Sequence, residues 1–222
     1  KEKLGKMNAI WIVFLGLLCS AAFADEERDQ FFDDFIETLT SKFKNEGLDP
    51  AELPGKSVTF SKKVKFFTVK GEAKIYEGKL RGISSMHREG PASVGIRDGK
   101  IILKATVVFD QLVASYQAKA SVMKVGPKFK ANMTMDGVKA TFEVAQSEGG
   151  PAELVNFQLT DTGKLKMGQF RGLGELNKYV NKFAGKLMGF VKGTIVHLFK
   201  GTVKRRIITS LNGVEIDRSQ FV

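Results

Sequence analysis

The chain has 222 residues, of which 43% are hydrophobic and 27% charged, with 35 Lys and Arg against 24 Asp and Glu and a formal charge of +11. That length suffices for one domain with a real core, and the single cysteine, Cys19, excludes an internal disulfide framework. The positive sign points to anionic partners: a lipid headgroup, a bacterial surface glycolipid or nucleic acid.

From Ala9 to Ala22 the chain is an uncharged apolar run that ends in Ala22-Phe23-Ala24, with Asp25-Glu26-Glu27-Arg28 following at once. The run falls short of the about 20 residues that cross a bilayer, and small-x-small is the ending a signal peptidase accepts. Residues 1–24 are therefore expected to be upstream residues plus a signal peptide that starts at Met7. Cleavage after Ala24 would leave 25–222 as one secreted domain of charge about +9, free of cysteine and held by its core. A secreted destination places nucleic acid last, so no nucleic-acid partner is expected.

Asp25 to Asn45 reads as an amphipathic helix, with Phe31, Phe32, Phe35, Ile36, Leu39 and Phe43 on one side. Asp33, Asp34, Glu37 and Lys42 face away, and acidic residues crowd the first turns, where the helix dipole favours them. Gly47, Pro50 and Pro54 end it.

From Lys56 to Phe170 the period changes to two. Ile101, Leu103, Ala105, Val107 and Phe109 share one strand face, and a turn at Asp98-Gly99 pairs Ile96 with Ile101 and Val94 with Leu103. Asp136-Gly137 carries the same signal. Folding about it sets Met135 opposite Val138, Met133 opposite Ala140, Ala131 opposite Phe142 and Phe129 opposite Val144. Both registers predict an antiparallel sheet buried on one face.

Leu173 to Leu211 reads as a long helix with an apolar stripe through Leu176, Tyr179, Val180, Phe183, Leu187, Phe190, Val191, Thr194, Ile195 and Leu198. It would be on the order of 55 Å long if unbroken, and only the sheet could cover it. The fold class is thus α+β, with an antiparallel sheet wrapped on helices.

Small inward sheet residues (Ala105, Ala118, Ala120, Ala131, Ala140) face large helix ones, which describes either an ordinary interdigitated core or a gap for an acyl chain. Met123, Met133, Met135 and Met188 would suit such a lining. The candidate lipid-binding residues are Phe31, Phe35, Leu39, Leu103, Val107, Met133, Phe142, Phe183, Leu187 and Phe190.

Lys178, Lys182 and Lys186 form a basic ridge, continued by Lys200, Lys204, Arg205 and Arg206, which could meet an anionic headgroup or membrane. Gly185, Gly189 and Gly193 share that polar side. Asn132-Met133-Thr134 is a glycosylation sequon on an outward strand position. His87, in a loop, and His197, beside the stripe, are the only histidines, so no metal cluster and no catalytic set is nominated. No cofactor and no enzymatic activity are expected.

Leu48-Asp49-Pro50 with Leu53-Pro54, Gly71-Glu72-Ala73 leading to Leu80-Arg81-Gly82-Ile83 and Met86, and Asp98-Gly99 followed by Ile101 to Phe109 and Val113-Ala114-Ser115-Tyr116 resemble the mite group 7 allergens. The similarity is collinear over nearly the whole of 25–222. That family is similar in fold to one module of the lipopolysaccharide-binding and bactericidal/permeability-increasing proteins. The resemblance implies a strongly curved sheet wrapped around a long C-terminal helix and a shorter N-terminal one, a super-roll with an apolar lipid-binding cleft. It implies non-enzymatic binding or transport of an amphipathic lipid or lipopeptide. The alternative is binding to bacterial surfaces or anionic membranes, of the host-defence type, through the basic helix. The larger relatives have two modules and a disulfide, and this chain has neither.

Overall fold

Period-two alternation is realised as eight strands of one antiparallel sheet. The structure, a computed structural model, describes residues 26, 28–123, 125–168, 177–212, 214 and 216; of 60, 62, 64, 69 and 177–183 it describes the backbone alone. The expected signal peptide and cleavage site lie outside the described residues.

The strands follow four long paths. The first comprises β3 (Phe67–Arg81), a 3-10 turn at Ile83–Ser85, and β4 (Met86–Arg97). The second and third are β5 (Lys100–Val122) and β6 (Lys128–Gln146), and the fourth is β7 (Ala152–Asp161) with β8 (Lys164–Met167). β3 pairs with β5 from Gly71↔Val122 to Arg81↔Val113, and β4 takes over from Met86↔Phe109 to Arg97↔Lys100. β2 (Lys56–Val64) borders β3, and β1 (Ala51–Leu53) pairs with its Gly78–Leu80 end. The Asp98-Gly99 hairpin forms in the expected register, Ile96↔Ile101 and Val94↔Leu103, with positive φ at both turn residues (52° and 72°).

The Asp136-Gly137 hairpin does not form. β6 runs straight through these residues, paired with β5 from Ile101↔Gln146 to Lys119↔Lys128, and the chain reverses at 123–127 instead. The turn signal serves a bend. Along β5 the buried positions run Ile101 to Phe109 in odd numbers, then restart at Leu112, Ala114 and Tyr116. Along β6 they run Ala131, Met133 and Met135, then restart at Val138 and Ala140. Asp110-Gln111 lies level with Asp136-Gly137, so both strands gain the same extra residue, and the apolar face survives without a register slip.

The bend crosses all four paths. Gly82 (φ 95°), Gly137 (φ 67°) and Gly163 (φ 62°) supply left-handed backbone along it. A Cβ on Gly82 would lie 2.1 Å from the Gln111 carbonyl oxygen, and one on Gly163 2.3 Å from that of Asp136. The Asp136 carboxylate accepts from Lys166 Nζ at 2.9 Å and Gln111 Nε2 at 3.0 Å, which holds its carboxyl below the usual carboxylate range. On the first path the Asp49 carboxylate accepts from the Gly82 amide (3.1 Å), the Ser84 amide (2.8 Å) and the Ser84 hydroxyl (2.6 Å). The bend divides the sheet into an upper half (β2, β3, β8 and the adjoining ends of β5 and β6) and a lower half (β4, β7 and the remainder).

Helices cover the inner face of both halves. α1 (28–45) seats Phe32, Phe35, Ile36, Leu39 and Phe43 in the core. Phe32 and Phe35 meet the Phe142 ring at centroid distances of 6.0 and 5.5 Å, which places α1 on the lower half. Arg88 of β4 fixes its outer side, with Nε and Nη2 on Asp33 (3.0 and 2.8 Å) and Nη1 on Asp29 (3.0 Å). α2 (Asn177–Leu198) passes through a π turn at Phe199–Val203 into α3 (Lys204–Leu211), so the helical path continues from 177 to 211. Phe199 stands edge-on to Phe109 at 4.9 Å, and the Arg206–Glu46 ion pair (2.6 Å) joins α3 to the turn that follows α1. α2 covers the upper half, and Gly185, Gly189 and Gly193 stand on its exposed side with open space beside each.

Candidate functional site

The upper half of the sheet is a trough. Its floor, in the central strands, is Ala73, Ala114, Ala118, Ala120 and Ala131 with Ile75, Tyr116 and Met133, and each is buried. α2 meets the sheet mainly at the two edges, β2 and β8. At one edge Lys56 Nζ sits 5.5 Å from the Phe190 ring centroid, and at the other Lys192 Nζ donates to the Gly163 carbonyl at 3.2 Å. Leu187, Val191 and Ile195 point inward from the helix. Val58, Phe129, Leu165, Met167, Met188 and Phe190 are half-buried against the core, an apolar rim at the helix–sheet seam.

Tyr116 is the polar group in the floor. Gly78 makes room for its ring, since a Cβ there would lie 2.2 Å from Tyr116 Cε1. Its hydroxyl stands 3.4 Å from the Pro54 carbonyl oxygen, and burial pushes its pKa up to about 12. The trough is thus apolar with a neutral hydroxyl, suited to hydrocarbon.

The candidate lining residues separate into two groups at the bend. Phe31, Phe35, Leu39, Leu103, Val107 and Phe142 lie between α1 and the lower half, and among them only Phe31 is not fully buried. Met133, Leu187 and Phe190 belong to the upper half. The side chain of Phe183 lies outside the described residues. Met123 is not a lining residue: it is 66% exposed at the β5–β6 turn, because the chain reverses there rather than at Asp136. Sequence reasoning passed over Val58, Leu165 and Met167 of the rim, whose strands are short or at the sheet edge.

Of the basic ridge, Lys186 is exposed on α2, and the side chains of Lys178 and Lys182 lie outside the described residues. Asn132 is exposed on β6, outward as expected. His87 is the second residue of β4 rather than a loop residue, with Nδ1 3.1 Å from the Ser85 carbonyl oxygen and 3.6 Å from Asp110. His197 is exposed on α2. A polar groove of about 480 Å³ between α1 and β4 is lined by Asp33, Glu37, His87 and Arg88 among others, and its Asp33 is engaged by Arg88. Among the described residues no group of three His, Cys, Asp or Glu could hold a metal ion. No helix there is long and apolar enough to cross a membrane.

A bent antiparallel sheet closed on a long C-terminal helix accompanies a match of residues 27–211 to the family model described as Group 7 allergen. The chain belongs to the Group 7 allergen family. Among solved structures, this Group 7 chain is similar to lipopolysaccharide binding protein, at 12% identity and a TM-score of 0.43, over 83% of this chain and 40% of that one. It therefore spans well under half of that protein's length. It is also similar to Takeout 1 of Epiphyas postvittana, at 11% identity and a TM-score of 0.35, over 83% of this chain and 86% of that one. No curated protein sequence matches it significantly.

Proposed function

We propose that the protein is a secreted, non-enzymatic carrier that holds the acyl chain of an amphipathic lipid in the upper trough. One observation carries the reading: a floor of alanines lies beneath a helix that rests on the two sheet edges. The floor and the inward face of α2 are buried as the structure stands, so an acyl chain enters by parting the half-buried seam, and each methylene it buries is worth about 0.8 kcal/mol. Met133, Leu187 and Phe190 line the chain, and the headgroup stays at the rim beside Lys56. The six candidates of the lower half lie across the bend from this trough. Removal of a signal peptide and glycosylation at Asn132 belong to the same proposal.

The test is native mass spectrometry on protein from a eukaryotic secretion host, followed by organic extraction and rebinding of defined lipids. A stoichiometric lipid, or rebinding after delipidation, is the expected result. If no lipid restores measurable affinity, carriage is refuted. The exposed position of Lys186 favours a second reading, in which the basic face of α2 binds an anionic membrane. Charge reversal at Lys178, Lys182 and Lys186 should then abolish vesicle binding, and unchanged binding removes that reading.

A further inference from the structure

Two hairpin turns stand side by side at the far end of the upper half. β2 and β3 close at the Val64↔Phe67 pair, and β5 turns into β6 through the Val122↔Val125 bridge. They are neighbours because β3 pairs with β5 up to Gly71↔Val122, beyond which the Met123 amide donates to the Lys70 carbonyl at 2.9 Å.

These turns carry exposed hydrocarbon. Phe66 is 96% exposed, Phe67 76%, Val125 78% and Met123 66%. They are four of the seven large hydrophobic side chains exposed among the described residues, gathered at one end of the sheet. The non-glycine residues Lys65 (φ 52°) and Met123 (φ 53°) hold left-handed backbone at the two turns, a conformation L-residues adopt reluctantly.

The charge around them has one sign. Residues 56–70 and 119–130 contain nine lysines and no acidic residue. Lys63, Lys65, Lys70 and Lys128 are exposed, and among the described residues none of the four makes an ion pair. The order along the strands matters. Phe66 and Phe67 lead, with Lys65 beside them; Lys63 lies opposite Thr68, one pair behind the Val64↔Phe67 closure, and Lys70 opposite Ser61, three pairs behind and level with Met123 of the second turn. At about 3.3 Å per residue, the collar spans roughly the first 10 Å behind the tip. That depth matches the 5–10 Å to which interfacial apolar groups enter the headgroup region.

A protruding apolar tip with cations set behind it complements a surface whose anions lie outside and whose hydrocarbon lies beneath. We propose that this tip docks the protein end-on to anionic phospholipid bilayers, with Phe66 and Phe67 between the headgroups, the lysine collar on the phosphates, and Met123 and Val125 at the level of that collar. The basic face of α2 supplies charge alone. Docking does not require that the trough hold a lipid, so it stands or falls separately from the carrier reading.

The test is co-sedimentation of the full chain with phosphatidylcholine vesicles, with and without phosphatidylserine, across a salt series. The unaltered protein should bind the serine-containing vesicles and release them as salt rises. F66S/F67S should weaken binding on the order of 100-fold, and K63E/K65E about 30-fold with a shallower salt dependence. All four side chains are solvent-exposed, so circular dichroism should be unchanged; M123S/V125S, set back level with Lys70, should weaken binding less than F66S/F67S. K44E, an exposed charge reversal on α1 far from the tip, should bind vesicles as the parent does. No binding by the unaltered protein overturns the proposal. So do equal binding by the tip variants, an equal loss with K44E, or capture of a protein by the tip without vesicle binding.

Discussion

Ala118 offers the sharpest test of the trough. It is 2% exposed, on the central strand β5, between Ile75 of β3 and Phe129 of β6. Replacing it with phenylalanine inserts a benzyl group into the floor near the level where Lys56, paired with Ile75, reaches Phe190. If protein side chains fill the trough, the ring overpacks the core at about 1–3 kcal/mol, and Tm falls by roughly 3–10 °C for a domain of this size. If an acyl chain fills it, the ring takes the place of about four methylenes. At ~0.8 kcal/mol each the ligand loses ~3 kcal/mol, about two hundredfold in affinity, while the delipidated protein keeps its Tm. Thermal unfolding of delipidated protein and a fluorescent fatty-acid titration separate the two cases. A lowered Tm with unchanged affinity would refute the carrier reading.

Three further expectations concern the frame around the trough. Gly163→Ala should destabilise by about 3 kcal/mol or more, because left-handed backbone and the Asp136 carbonyl both oppose a Cβ. Gly137→Ala, with open space, should cost only about 1–2 kcal/mol, and equal denaturation midpoints would contradict the bend as described. Asp49→Ala strips acceptors from the Gly82 and Ser84 amides and should cost about 3 kcal/mol in urea unfolding, with Asp49→Asn in between; an unchanged midpoint would dismiss the carboxylate as a clamp. The raised pKa of Tyr116 favours its neutral form in the fold. The associated stability, at most about 2–3 kcal/mol, is present in full below about pH 10 and is lost as pH rises toward about 12. Tyr116→Phe should lack that decline relative to the parent, and parallel pH profiles would exclude Tyr116 as its source.

Much of the frame was legible because burial on one face leaves a period of two, and the Asp98-Gly99 turn fixed a register that the structure reproduces residue for residue. The misread bend is instructive. A hairpin about Asp136-Gly137 and a straight strand with two unburied residues there both put Met135 and Val138 on one face. The alternation within β6 cannot choose between them. The partner strand decides: β5 breaks its own alternation at Asp110-Gln111, between Phe109 and Leu112, and two breaks that align mark a bend shared by paired strands. The candidate lining was less legible. Apolar residues of either half obey the same periodicity, so Leu103 and Met133 look equivalent until the helices are placed. The tip had a visible signal in Lys62-Lys63-Val64-Lys65-Phe66-Phe67, basic and aromatic at once, but its meaning rests on finding the second turn beside it.

The three glycines on the outer side of α2 have a consequence for access. Each gives up about 1 kcal/mol of helix propensity relative to alanine, at positions where a methyl group would meet nothing. The helix over the trough therefore persists by its seating on the edge strands rather than by its own tendency to coil. Its amides should exchange with solvent through openings much smaller than global unfolding, while those of β5 and β6 beneath stay protected. On the carrier reading, a lipid enters and leaves by the brief loosening of one helix, with the sheet beneath undisturbed.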